Sequence, residues 1–169
     1  MRLLFEIDTK DYNPNGTCVR RPSCRCVAIQ NGKVAMIHSL KYDYYKFPGG
    51  GIEQGETKIQ ALLRETLEET GLHIVPDSIR EFGYVHRVQK GFDCDMFVQD
   101  NYYYLCEVSG EREKQNLDDY EEEERFTLEW VTFDEAIAVN HGKDQGGKSR
   151  EMVERESRVL AVLKEEMTE

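Results

Sequence analysis

Three consecutive glycines behind a proline, and a fourth glycine twenty positions on, bracket the most constrained stretch of this chain. Gly49-Gly50-Gly51 after Pro48 can only make a tight turn, because glycine alone takes positive φ without steric cost. Gly71 supplies the stop that a glycine just past a helix end usually supplies. Between them, Thr57 to Thr70 contains neither Pro nor Gly and is rich in good helix formers, so a helix is predicted there. At roughly 100° per residue, Ile59, Leu63, Thr66, Leu67 and Thr70 share one arc with Leu62 at its edge. Glu65, Glu68 and Glu69 fall on the other side, beside Ala61. Like charges three or four apart repel by roughly 0.2–0.5 kcal/mol per pair, so crowding three carboxylates is unrewarded unless a cation sits among them. Hard divalent ions such as Mg²⁺ take oxygen ligands and share them with substrate phosphates. Arg64 flanks the cluster and can clamp one carboxylate through a bidentate hydrogen bond. A merely solvated acidic face would need neither the glycine turn nor the Arg-Glu and Glu-Glu pairs at these offsets.

The spacing resembles the Nudix box, G-x5-E-x7-R-E-U-x-E-E-x-G-U, with U a bulky aliphatic residue. Gly50, Glu56, Arg64, Glu65, Glu68, Glu69, Gly71 and Leu72 stand where that pattern wants them. Thr66 departs from it at the first U; being nearly isosteric with Val, it implies altered packing rather than lost chemistry. Tyr45-Lys46-Phe47-Pro48-Gly49 is similar to the family's usual lead-in. By motif the resemblance covers residues 45–72, and by element pattern most of the chain. It implies an α+β Nudix fold, an α/β/α sandwich with a mixed and antiparallel sheet between helices, as one domain over residues 1–169. It also implies Mg²⁺-dependent hydrolysis, with Mn²⁺ as a substitute, of a diphosphate linkage in a nucleoside diphosphate joined to a group X. Carried over by position, Glu65, Glu68 and Glu69 are expected metal ligands, joined by a backbone carbonyl of the turn, that of Gly49. Arg64 would orient a ligand carboxylate, Glu56 would stand at or just behind the metal, and Glu53 would support the turn. A later acidic residue often completes such sites. Among Glu121 to Glu124, the distance from Trp130 favours Glu124. Which carboxylate is the general base stays open.

The rest of the chain agrees with a globular protein. Its 169 residues suit one domain, and the 39% that are hydrophobic are spread throughout. No apolar run approaches membrane-span length, and Met1 to Glu6 is too short and too soon acidic for a signal peptide, so the expected location is the cytoplasm. A formal net charge of −11 disfavours stable binding to nucleic acid, while a small anionic substrate can be held where metal cancels local charge. The five cysteines are odd in number and form no CxxC, so free thiols are expected; Cys24 and Cys26 share a strand face. A homodimer is compatible with all of this.

Taken in order, Arg2 to Ile7 reads as a strand and Asp8 to Thr17 as a loop. Cys24 to Gln30 and Lys33 to Ser39 flank Asn31-Gly32, the strongest short hairpin signal. Tyr42 to Phe47, Ile79 to Val88, Phe97 to Val108 and Arg125 to Phe133 read as further strands. Ser109 to Glu124 is polar and aperiodic and reads as a loop. Asp134 is expected to cap a helix through Asn140, His141 to Lys148 to form a Gly-rich loop, and Ser149 to Met167 to form an amphipathic helix burying Met152, Val159, Leu160 and Leu163.

Arg21, Tyr44, Phe47, His86 and Arg87 are the candidates for contact with X, since an aromatic can stack on a base and an arginine can hold a phosphate. A non-standard or oxidised nucleoside triphosphate is the leading substrate class, with ADP-ribose or a nucleotide sugar as its rival. A nucleotide-sensing module without turnover is the alternative from another class; the full set of charged box residues speaks against it. RNA decapping is discouraged by the net charge.

Overall fold

The computed structural model describes residues 1–142 and 150–168. From the amino terminus, β1 (Leu3–Asp8), β2 (Cys18–Arg20), β3 (Ser23–Gln30), β4 (Lys33–Ser39), β5 (Tyr44–Lys46) and β6 (Gly49–Gly51) lead into α1 (Lys58–Thr70). Then come β7 (Leu72–Ile74), β8 (Arg80–Gln89), β9 (Met96–Cys106), β10 (Val108–Arg112), α2 (Asp119–Glu124), β11 (Phe126–Val131), α3 (Phe133–Gly142) and α4 (Arg150–Thr168). Among the described residues, nine strands form one mixed sheet, ordered β1-β8-β9-β3-β4-β11, with β2 added to β9, β5 to β4 and β6 to β3. β3 runs parallel to β9 and antiparallel to β4, and β1 runs parallel to β8. The Asn31-Gly32 turn sets the β3–β4 register, with Ile29 opposite Val34 and Gln30 opposite Lys33.

Strand alternation divides the core between two faces. Val27 packs with Met36, Phe47, Val85 and Tyr103 against Val159, Leu160 and Leu163 of α4. Cys24, Cys26 and Ala28 point the other way and pack with Ala61 and Leu62 of α1. The five cysteines are free thiols, and the helices cover both faces of the sheet, the α/β/α arrangement implied by the resemblance. No helix among the described residues is long and apolar enough to cross a membrane.

Helix α1 begins where its cap dictates. Thr57 Oγ1 accepts from the N–H of Gln60 at 3.2 Å, and the Gln60 side chain accepts from the N–H of Thr57 at 2.9 Å, a reciprocal capping box. It ends at Gly71, whose φ of 73° is left-handed and whose N–H bonds to the Leu67 carbonyl. A Cβ at position 71 would also lie 2.0 Å from the Glu113 carbonyl oxygen. Gly71→Ala is therefore expected to cost more than the roughly 1–2 kcal/mol of left-handed strain alone. At about 2–4 °C per kcal/mol, calorimetry should record a Tm several degrees lower; an unchanged Tm would mean that α1 ends differently.

Four expectations are corrected. Ser109 to Glu124 is not a loop: β10 pairs antiparallel with β7, Val108 opposite Ile74, and α2 is started by a capping box between Asp118 and Glu121. Helix α3 is capped by Thr132, not Asp134, since Thr132 Oγ1 accepts from the N–H of Glu135 and Glu135 accepts from the N–H of Thr132. Ile59 is exposed, and the buried side of α1 is Ala61, Leu62, Thr66, Glu69 and Thr70. Met152 of α4 is only partly buried, while Val159, Leu160 and Leu163 are fully buried as expected. Of the expected loop His141 to Lys148, His141 and Gly142 close α3 and the remainder lies outside the described residues.

Candidate active site

Arg64 gathers the acidic face of α1. Its Nε and Nη2 donate to the two oxygens of Glu56 at 2.8 and 2.9 Å, and Nη2 also donates to the Gly51 carbonyl at 3.2 Å. Nη1 donates to Glu65 at 2.7 Å and to Glu68 at 3.3 Å. This fork holds Glu56 at a pKa of about 2. Glu56 also accepts from the N–H of Glu53 at 3.0 Å, so it splints the turn to the helix. Glu68 moves the other way: burial raises its pKa, and Arg64 only partly offsets this.

The glycine strand β6 separates two charge environments. An ideal Cβ at Gly50 would stand 2.3 Å from a Glu65 oxygen, while one at Gly51 would find Arg21 Nε nearest, at 3.4 Å. Gly49 cannot carry a side chain either, because its φ is 136° and a Cβ would meet the Cys24 carbonyl at 2.0 Å. Along β6 lies a cleft of about 300 Å³, lined by the strand together with Arg21, Arg25, Lys46, Phe97, Gln99 and Tyr120. Arg25 Nη1 donates to the Gly49 carbonyl at 2.6 Å. Glu156 of α4 accepts from the N–H of Phe47 at 2.6 Å and ties the approach to the turn down.

Glu69 does not lie on the open acidic face where the helical wheel puts it. It is buried, ion-paired with Lys46, and accepts from the N–H of Gly49 at 2.8 Å. Burial pushes its pKa up to about 7, against the pull of Lys46 and Arg25, and Glu121 adds to the push.

The other expected residues separate clearly. Arg21 lines the cleft. Tyr44 and Phe47 do not: Tyr44 is buried with its hydroxyl donating to Glu124 at 2.8 Å, and Phe47 meets Tyr103 edge-on in the core. Arg87 is buried against the Phe97 ring, its guanidinium carbon 5.5 Å from the centroid. His86 is engaged by Asp100 at 2.7 Å. Glu124 accepts from Ser39 Oγ at 2.9 Å as well as from Tyr44, which makes it part of a buried polar cluster. Within α2 it is Glu121 whose charge reaches Glu69. Sequence reasoning passed over Arg25 and Lys46. The available signal was an arginine on the inward face of an otherwise apolar strand, Ser23-Arg25-Val27, and a lysine beside the buried Phe47.

The oxygen-only donor set suits a hard divalent cation. Glu65 and Glu68 are brought to one point by a shared Arg64 nitrogen, and the Gly49 carbonyl keeps a lone pair beyond its bond to Arg25. Among the described residues no three His, Cys, Asp or Glu side chains stand preassembled as a metal site, and Glu69 is ion-paired with Lys46.

Comparison with known proteins agrees with this geometry. A model of the NUDIX domain matches residues 19–155. The chain is 27% identical over 137 residues to a protein named RNA pyrophosphohydrolase from Hydrogenovibrio crunogenus, covering 75% of this chain and 78% of that one. It is similar in structure to a NUDIX hydrolase from Nitrosomonas europaea, with a TM-score of 0.60 at 19% identity over 85% of this chain and 90% of that one. A MutT protein from Bacillus halodurans superposes with a TM-score of 0.56 at 18% identity, over 79% and 80% of the two chains. Identities this low speak for the fold; the family match, which spans the glycine turn, α1 and the cleft, shows that the chain belongs to the NUDIX domain family.

Proposed function

We propose that this chain is a Mg²⁺-dependent pyrophosphohydrolase that cleaves a diphosphate linkage in a nucleoside diphosphate joined to a further group X. The observation that carries this reading is the arrangement around β6: carboxylates organised by one arginine, next to a cleft lined by Arg21, Arg25 and Lys46. Glu65 and Glu68, with the Gly49 carbonyl and Glu69 at the buried end, would hold the metal. A divalent ion there would neutralise phosphate charge and make a bound water more acidic. Arg64 keeps the carboxylates in place, and the side-chain-free strand lets a diphosphate lie against the backbone. Arg21, Arg25 and Lys46 receive the phosphates, a task of positioning and charge neutralisation rather than covalent catalysis. Phe97 and Tyr120 offer aromatic faces at the same cleft.

A panel of nucleoside triphosphates, including oxidised and non-standard ones, nucleotide sugars, ADP-ribose and dinucleoside polyphosphates is the test. Mg²⁺-dependent release of phosphate, pyrophosphate or nucleotide from at least one of them is expected, with Mn²⁺ able to substitute. Nucleotide binding by calorimetry with no turnover at saturating metal would instead establish a sensing module. A second reading, removal of pyrophosphate from the 5′ end of RNA, is favoured by the name of the curated relative. The net charge of −11 opposes long RNA contacts, so any such activity should depend on the 5′ end alone and change little with RNA length.

A further inference from the structure

Helix α1 finishes its two ends by different means. Its first turn is capped by neighbours in sequence, Thr57 and Gln60. Its last turn leaves carbonyls without a partner inside the helix, as every helix does. The donors that follow in sequence do not cover them. The Gly71 N–H takes the Leu67 carbonyl, and the Leu72 N–H goes to Thr70 Oγ1 at 2.9 Å. The carbonyls of Glu68, Glu69, Thr70 and Gly71 are met instead by a distant strap, Arg112 to Asn116. The Asn116 N–H donates to the Glu68 carbonyl at 2.8 Å, and the Glu113 N–H to that of Gly71 at 2.8 Å. Gln115 Nε2 donates to the Glu69 carbonyl at 2.5 Å, and Arg112 Nε to that of Thr70 at 3.2 Å. Arg112 also brings a cation to a helix C-terminus that has none in its own last turn. Gln115 Nε2 donates to the Phe126 carbonyl as well, at 3.2 Å, so one amide joins the Glu69 backbone to β11. The Lys46 ammonium sits 4.8 Å from the Phe126 ring centroid, and Lys46 is the ion-pair partner of Glu69. Backbone and side chain of Glu69 are therefore referenced to the same strand. Beyond Asn116 the chain enters α2, where the charge of Asp118 reaches Glu68 and that of Glu121 reaches Glu69.

We infer that Gln115, supported by Arg112, is a positioning residue for Glu68 and Glu69: the strap fixes the backbone of both, so that their carboxylates reach a divalent cation beside Glu65. The inference rests on the hydrolase reading for its metal. Glu65 lies a turn earlier, inside the helix, and Arg64 aims it through a bond of 2.7 Å. Glu68 receives only a longer bond from the same nitrogen, 3.3 Å, and Glu69 is bonded elsewhere, to Lys46 and the Gly49 N–H. For these two the backbone of the last turn must supply the aim. Helix ends fray, and a frayed last turn would move Glu68 and Glu69 while leaving Glu65 in place. With that backbone held, bringing Glu69 from Lys46 to a metal needs only rotation of its side chain. Removing a group that orients metal ligands typically changes metal affinity or activity by roughly 10–100-fold, whereas removing an ordinary helix cap changes stability alone.

The test compares two variants of the full-length protein that loosen α1 from opposite ends. Gln115→Met removes the side-chain donor of the strap, and Thr57→Ala removes the cap of the first turn. Both are expected to lower the Tm of the metal-free protein by a few degrees. Mn²⁺ titrated calorimetrically without substrate should bind Gln115→Met about tenfold more weakly than wild type, and Thr57→Ala as tightly as wild type. With a nucleotide substrate, kcat should fall about tenfold in Gln115→Met while KM stays within about twofold. Arg112 is exposed, so Arg112→Met, with a smaller loss of Mn²⁺ affinity, decides the matter if Gln115→Met does not fold. Equal weakening of Mn²⁺ binding in Gln115→Met and Thr57→Ala, or wild-type affinity in both strap variants, reduces the strap to helix capping and overturns the inference even if hydrolysis is found. Gln115-dependent Mn²⁺ binding without turnover of any substrate upholds the positioning role and removes the hydrolase reading instead. Wild-type protein that binds no Mn²⁺ overturns both.

Discussion

Glu68→Gln is expected to lower kcat by roughly 10²-fold, about 3 kcal/mol at 1.36 kcal/mol per tenfold, with the fold intact. The substitution keeps the shape of the side chain and its bond to Arg64 while removing one negative charge from the pair that Arg64 Nη1 gathers. Because burial already raises the pKa of Glu68, ionising it in the folded protein is disfavoured, with Glu65 adding to the repulsion. Replacing it by a neutral amide should leave Tm unchanged or slightly higher in the metal-free protein, and should weaken the metal-induced rise in Tm. Loss of activity with retained stability separates this role from that of Arg64, whose removal would release Glu56, Glu65, Glu68 and the Gly51 carbonyl together. A Glu68→Gln protein as active as wild type would remove this carboxylate from the site.

That expectation rests on a stretch whose meaning is local, which is why it was readable from sequence. The glycine turn, the cap at Thr57, the stop at Gly71 and the Asn31-Gly32 hairpin are each decided by residues within a few positions of one another. Periodicity likewise found the stripe of α4. What escaped depends on distant partners. β10 exists because β7 offers an edge, and no pattern within Ser109 to Glu124 encodes that. The inward turn of Glu69 depends on Lys46, twenty-three residues earlier, and a helical wheel records direction without recording what stands there. The hydroxyls that hold Glu124 belong to Ser39 and Tyr44, more than seventy positions away, and no pattern near Trp130 encodes them. Tyr44 and Phe47 have the chemical type that stacks on a base, but their neighbours place both in the interior. Arg21 needed only its nearness to the glycine strand, which its position just before β3 already provides.

Lys46→Met is expected to destabilise the protein by about 3–5 kcal/mol at pH 8 and much less at pH 5. Lys46 is nine-tenths buried and provides the ion pair to Glu69, which is fully buried; removing one partner of such a pair strands the other's charge. Even with Lys46 present, burial holds the Glu69 pKa near 7, above its ordinary 4.5. A carboxyl whose folded pKa is raised contributes stability in its protonated form. That contribution is complete below the unfolded value and is lost as pH rises through the folded one. Without the ammonium the folded pKa rises further, so at pH 5 Glu69 simply keeps its proton and little is lost. At pH 8 the folded variant must either bury a bare carboxylate or hold a proton that the unfolded chain releases. At roughly 2–4 °C per kcal/mol the Tm should fall by about 10 °C at pH 8, and Lys46→Met with Glu69→Gln should recover most of the loss. An equal drop at both pH values, or no recovery in the double variant, would show that Lys46 acts by packing against Phe126, whose ring centroid lies 4.8 Å from its nitrogen. Lys46 also lines the cleft, so the double variant, though stable, should bind a nucleoside triphosphate less well than wild type. The same ammonium that makes Glu69 tolerable in the interior faces the phosphates, and the fold obtains both from one residue of the approach to the glycine turn.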